Sequence, residues 1–105
     1  MSKVVFDFEL SDKESRKRAF RELRRVLEKE LLNGPLPYFC VVYANRYGEV
    51  SNHYMTPIAL REVDGKYFIS IFDYEFFLKL FCRHPKVSNI RWDAEERCIV
   101  VFMTE

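Results

Sequence analysis

Apolar and polar residues alternate along residues 3–10. Val4, Phe6, Phe8 and Leu10 share one side, and Lys3, Val5, Asp7 and Glu9 the other. A period of two marks a strand with one buried and one largely wet face. The period changes at Ser11. From there to about residue 32, Phe20, Leu23, Leu27 and Leu31, flanked by Ala19 and Val26, recur at helical spacing. That stripe predicts an amphipathic helix. Ser11-Asp12-Lys13-Glu14 reads as its capping box, with the serine hydroxyl accepting from the Glu14 amide. Asn33-Gly34 supplies a left-handed stop, and Pro35 and Pro37 prevent continuation.

The next segments are β-rich. Residues 38–45 (YFCVVYAN) predict a strand and residues 46–49 a turn. Residues 50–60 return as a second strand, which Pro57 places at an edge or a bulge. Asp64-Gly65, between IALREV and KYFISIF, is the strongest hairpin signal in the chain. Asp73 then caps a short helix over residues 74–83, apolar on most sides, with Glu75, Lys79 and Arg83 as its polar stripe. His84-Pro85 ends it. Residues 87–92 and 97–103 predict a last hairpin about a turn at residues 93–96. Residues 98–103 are apolar on both faces, as a central strand requires.

The predicted order is β-α-β-β-β-α-β-β. Short links favour antiparallel neighbours and put both helices on one side of the sheet. The expected class is α+β: an antiparallel-dominated sheet of five or six strands, two helices on one face, in a decorated ferredoxin-like arrangement. The core should draw on Val4, Phe6, Phe8, Phe20, Leu23, Leu27, Phe68, Ile71, Phe77, Leu80, Val101 and Phe102.

Composition narrows the class further. At 105 residues the chain is one domain, long enough for a core without disulfide or metal staples. With 49% hydrophobic and 31% charged residues it is neither disordered nor membrane-spanning. Its net charge of +1 gives no global field to recruit an anionic polymer. Asp7 and Glu9 break the first apolar stretch too early for a signal-peptide core. Cys40, Cys82 and Cys98 are odd in number and widely spaced, so they read as buried free thiols rather than a disulfide framework or zinc site. An intracellular, cytoplasmic protein without a cofactor is expected.

Charge is local rather than global. Lys13, Arg16, Lys17, Arg18, Arg21, Arg24, Arg25 and Lys29 place eight basic residues in the first helix. Glu14 can answer Arg18, Glu22 can also answer Arg18, and Glu28 can answer Arg24. Lys17, Arg21, Arg25 and Lys29 follow one another at i+4 as like charges, which costs an isolated helix about 0.2–0.5 kcal/mol per pair. Such a ridge is either a plain solvated face or a phosphate-binding one, since Arg forks and Lys grip phosphate oxygens. Residues 43–54 (YANRYGEVSNHY) gather three Tyr, two Asn, an Arg, a Ser and a His at a hairpin. Aromatic faces stack bases, and Asn and Arg read edges or backbone. The same residues suit a protein interface or simple cross-strand packing.

Other chemistry is sparse. Asp7 and Glu9 lie about 7 Å apart on one strand face and could share a divalent cation, but no further acidic partner is in reach by sequence. His53 and His84 read as structural. No phosphate-loop, dinucleotide, nucleophile-elbow or zinc-helix motif is present.

The opening VVFDFELSDKESRKRAFRELRRVL, a strand ending in acidic residues that leads into a basic helix, resembles the start of Cas2-type ferredoxin-like proteins. The resemblance ends by residue 35. It implies a ferredoxin-like fold and would place the family's metal-binding aspartate at Asp7.

The leading expectation is a small non-enzymatic domain contacting nucleic acid. Lys17, Arg21, Arg24 and Arg25 would hold phosphates, while Arg46, Tyr47, Asn52 and Tyr54 stack and hydrogen-bond. The alternative is a protein-interaction or inhibitor module of viral or mobile-element type, acting as a homodimer through the apolar second helix and the Tyr-rich hairpin. A metal-dependent nuclease using Asp7 ranks third.

Overall fold

A computed structural model describes residues 6–57, 60–69 and 71–105. The chain runs β1 (Phe6–Glu9), α1 (Lys13–Glu30), β2 (Tyr38–Ala44), β3 (Val50–Met55), β4 (Leu60–Val63), β5 (Lys66–Ile69), α2 (Ile71–Arg83), β6 (Val87–Asp93) and β7 (Cys98–Thr104). Five strands form one sheet in the order β1-β6-β7-β2-β3, while β4 and β5 form a separate ribbon. All pairs are antiparallel except β2 with β7. The class is the expected α+β. The order puts β1 at an edge, and it does not by itself establish a ferredoxin-like arrangement.

Both helices cover one face. Ala19, Leu23 and Leu27 of α1 and Tyr74, Leu78 and Cys82 of α2 are buried against Phe39, Val87, Ile90, Trp92, Ile99 and Val101 of the sheet. The expected stripe of α1 is therefore its packing face, with Phe20, Val26 and Leu31 at its margins. β7 is central, between β6 and β2, which is why both of its faces are apolar.

Several local expectations are corrected. The capping box sits one residue later: Asp12 Oδ1 accepts from the Ser15 amide at 2.7 Å, and Ser15 Oγ accepts from the Asp12 amide at 3.0 Å. Two overlapping box patterns compete here, and the later one wins. The helix closes at Glu30, and Asn33 Nδ2 donates to the Lys29 carbonyl at 2.9 Å. Helix α2 begins at Ile71, so Asp73 lies in its first turn rather than at its cap. The strand expected over residues 50–60 is broken after Met55, and Pro57 is buried. The Asp64-Gly65 hairpin forms as expected. Both residues adopt positive φ, 53° and 77°, the pairing a tight primed turn demands.

The expected core is corrected at two positions. Leu80 is 48% exposed on the outer side of α2. Phe102 lies on the opposite face of the sheet, because its neighbours Val101 and Met103 face the helices. Val4, and the side chains of Phe6, Phe68 and Ile71, lie outside the described residues. Phe39 and Trp92 are central instead, with Phe39 packed against Tyr74 and Phe81 at centroid distances of 6.2 and 5.5 Å.

Two arginines tie the layers together. Arg16 Nη1 donates to the Cys82 and His84 carbonyls at 2.9 Å each, and Nη2 to those of Leu10 and Val87 at 3.2 Å each. One guanidinium thus satisfies the end of α2 and both neighbouring strands. Arg97, at φ 54°, reaches back from the β6–β7 turn to the Glu30 carboxylate, the Glu30 carbonyl at 2.9 Å and the Pro35 carbonyl at 2.8 Å. Its guanidinium lies 3.4 Å from where a Cβ on Gly34 would sit, so only glycine leaves it room there without displacement. Arg97→Ala should lower the unfolding free energy by about 2 kcal/mol, read by urea denaturation, because charge-assisted bonds are lost. A change under 0.5 kcal/mol would show that the clasp contributes little.

Candidate nucleic-acid interface

The basic ridge does not form one flat surface. Each four-residue step advances 400° around a helix, so Lys17, Arg21, Arg25 and Lys29 drift around α1 by about 40° per step. Lys17 ends beside α2, and Lys29 on the far side. Beside the row, Arg24 is held by Glu28 and by Glu75 of α2 at 3.4 Å, and within it Arg25 pairs with Glu22 at 3.3 Å. The Glu28 pairing follows the sequence expectation. The Glu22 carboxylate serves Arg25 rather than Arg18. Among the described residues Lys17, Arg21 and Lys29 have no carboxylate partner.

Lys17 opens into a cleft between the start of α1 and the end of α2. The cleft has a volume of about 810 Å³ and is lined by Ser11, Asp12, Lys13, Arg16, Lys17, Phe20, Lys79, Cys82 and Arg83. Five positive side chains therefore face a single carboxylate. That carboxylate, Asp12, already accepts the Ser15 amide, which holds its pKa below the ordinary value. Lys79 and Arg83 come from a stripe that the sequence shows only as the polar side of α2. Their meeting with Lys13 and Lys17 depends on how the helices pack, and no local signal marks it.

The second expected group lies elsewhere. Cys40 pairs with Tyr54 and Val42 with Asn52, whereas buried Phe39 pairs with Met55. Asn52 and Tyr54 thus project from the face opposite the helices, with Tyr54 tilted against Tyr38 at 5.9 Å. Tyr47 is exposed at the β2–β3 tip. Arg46 lies over its ring at 5.7 Å, and the Arg46 amide donates to Glu105 at 2.8 Å. The ridge and the aromatic strand residues occupy opposite sides of the sheet and cannot grip one short ligand together.

The helix-free face carries a shallow depression of about 510 Å³ lined by Val42, Ala44, Val50, Arg91, Phe102 and neighbours. Arg91 lies over Phe102 at 5.1 Å, and Asp7 accepts from Asn89 at 3.0 Å. Among the described residues no three His, Cys, Asp or Glu side chains are grouped to hold a metal ion, so Asp7 and Glu9 gain no third ligand. Among the described residues no helix is long and apolar enough to cross a membrane.

The thiols differ by depth. Burial pushes Cys82 up to about 12 and raises Cys98 as well, whereas Cys40 is half-buried on the helix-free face. Under native conditions one thiol, Cys40, should react first with a disulfide reagent, and the other two only on unfolding. Rapid labelling of Cys82 would contradict the packing described.

No family model matches the chain, and neither a curated protein nor a solved structure shows significant similarity to it.

Proposed function

We propose that this chain is a small non-enzymatic domain that contacts nucleic acid through its helical face. The observation that carries this reading is the convergence of Lys13, Lys17, Lys79 and Arg83 on one cleft, with no carboxylate bound to any of them among the described residues. Like charges brought together at the surface repel, and an external anion relieves that repulsion. Phosphate oxygens accept from ammonium and guanidinium groups alike, and each neutralised phosphate releases counterions. Arg21, without a carboxylate partner among the described residues, extends the track along α1, and Arg25 beyond it is paired with Glu22. Arg24, held between Glu28 and Glu75, serves helix cohesion instead. Fluorescence anisotropy with a labelled oligonucleotide at low salt tests the assignment. Binding should weaken in Lys17→Ala and Lys79→Ala and persist in Tyr47→Ala. Loss only in the Tyr47 or Tyr54 variants would move the interface to the hairpin.

A second reading, a homodimeric protein-interaction module, is favoured by β3. This edge strand carries no charged residue and is exposed along all but its last position. Edges of that kind pair with other strands unless charge or proline blunts them. Phe76, 63% exposed on α2, adds apolar surface, whereas Phe77 and Phe81 pack on the core. Light scattering decides it: a dimer that Tyr54→Lys converts to monomer supports pairing at β3, and a monomeric parent protein removes it.

A further inference from the structure

We infer that the α1–α2 cleft is a site for a terminal phosphomonoester, the phosphorylated end of a strand or a mononucleotide, rather than one more stop along a continuous backbone. This inference rests on the nucleic-acid reading and names what the cleft selects. Its first support is Arg16 at the base of the cleft. Its guanidinium donates four hydrogen bonds, all to backbone carbonyls, so among the described residues its charge meets dipoles rather than a carboxylate. A partly buried guanidinium fixed in this way holds a positive charge, balanced by carbonyl dipoles alone, beneath the flexible side chains above it. The second support is count and direction. Lys13 and Lys17 come from one helix and Lys79 and Arg83 from the other, so basic residues line the cleft from two sides. An internal phosphodiester offers one charge and two free oxygens. A terminal phosphate offers nearly two charges at neutral pH and three acceptor oxygens, and so engages more of these donors.

The third support is shape. The volume, about 810 Å³, falls in the range of small-ligand pockets and exceeds what a phosphate alone would fill. Phe20 and Cys82 give it an apolar lining on which a sugar or base can rest. Burial holds the Cys82 thiol protonated, so it does not face a bound ester as a thiolate. The N-terminal end of α1 lies at the same place, where the Asp12 carboxylate already caps the Ser15 amide.

The experiment compares one oligonucleotide in three forms, with a 5′-phosphate, a 3′-phosphate or hydroxyl ends, by anisotropy at fixed salt. A nucleoside monophosphate serves as competitor. At least one phosphorylated form should bind about tenfold more tightly than the hydroxyl form, the effect of one added charge-assisted bond. That ratio should fall to about one in Lys79→Ala/Arg83→Ala, with its fold checked by circular dichroism, and decline in Lys79→Met, which keeps the aliphatic stem. Competition by the monophosphate at the same site would assign a free nucleotide as the second source of the group. Equal binding of all three forms by the parent protein overturns the inference and leaves the nucleic-acid reading standing. Binding of none of the three, with no monophosphate bound, overturns both.

Discussion

Replacing Arg16 with leucine should destabilise the fold by about 3 kcal/mol, with a fall in Tm on the order of 15 °C. The expectation follows from its four acceptors. The Cys82 and His84 carbonyls belong to the end of α2, and those of Leu10 and Val87 to the segments beside it. Carbonyls at a helix end need partners when water is excluded, and one planar fork supplies all four here. Leucine matches the stem but donates nothing. Lysine keeps the charge without the fork, so Arg16→Lys should recover only part of the loss. Since total stabilities of small domains are about 5–15 kcal/mol, Arg16→Leu sits near the edge of folding. Thermal unfolding followed by circular dichroism reads the effect. A Tm within 3 °C of the parent would show that solvent replaces Arg16 without penalty.

Reversing two charges in the cleft, Lys17→Glu with Lys79→Glu, should weaken oligonucleotide binding at least about 100-fold at low salt. The two residues stand on different helices, and each loses an attraction and gains a repulsion. Both are exposed, so the fold should tolerate the change within about 1 kcal/mol. Arg46→Glu is the informative companion. Arg46 sits at the β2–β3 tip against Glu105, away from the cleft, and its reversal should leave the affinity within about threefold. The opposite pattern, with loss in Arg46→Glu and none in the double variant, would transfer binding to the hairpin.

Much of the fold is legible in the chain because it is local. The stripe of Leu23 and Leu27, the turn at Asp64-Gly65 and the two-sided apolar run of β7 each rest on neighbours within a few residues. Even there, boundaries move when two signals overlap, as Ser11 and Asp12 show by competing for one cap. What is hidden is non-local. Nothing near β2 reveals that it runs parallel to β7, about 60 residues later. Nothing near Phe102 announces that it faces away from Val101's core, since an apolar run on a central strand does not say which face is which.

The candidate site divides the same way. The cation row of α1 is plain in the sequence, and Lys17 and Arg21 remain without carboxylate partners among the described residues. Its drift around the helix follows from 3.6 residues per turn, yet which end meets α2 requires the packed pair. In the sequence Lys79 and Arg83 show only as the polar side of an otherwise apolar helix. Composition groups Tyr54 and Asn52 with the ridge, and the β2–β3 register places them on the other side of the sheet.

The central claim is that unpaired cations on the helical face meet nucleic-acid phosphates, and salt tests it most directly. Anisotropy of a labelled single strand should be followed from about 25 to 300 mM salt. Three or four neutralised phosphates at about 0.7 each predict a straight fall of log affinity against log salt with a slope of about −2 to −3. An affinity indifferent to salt, or none at the lowest salt, would contradict it.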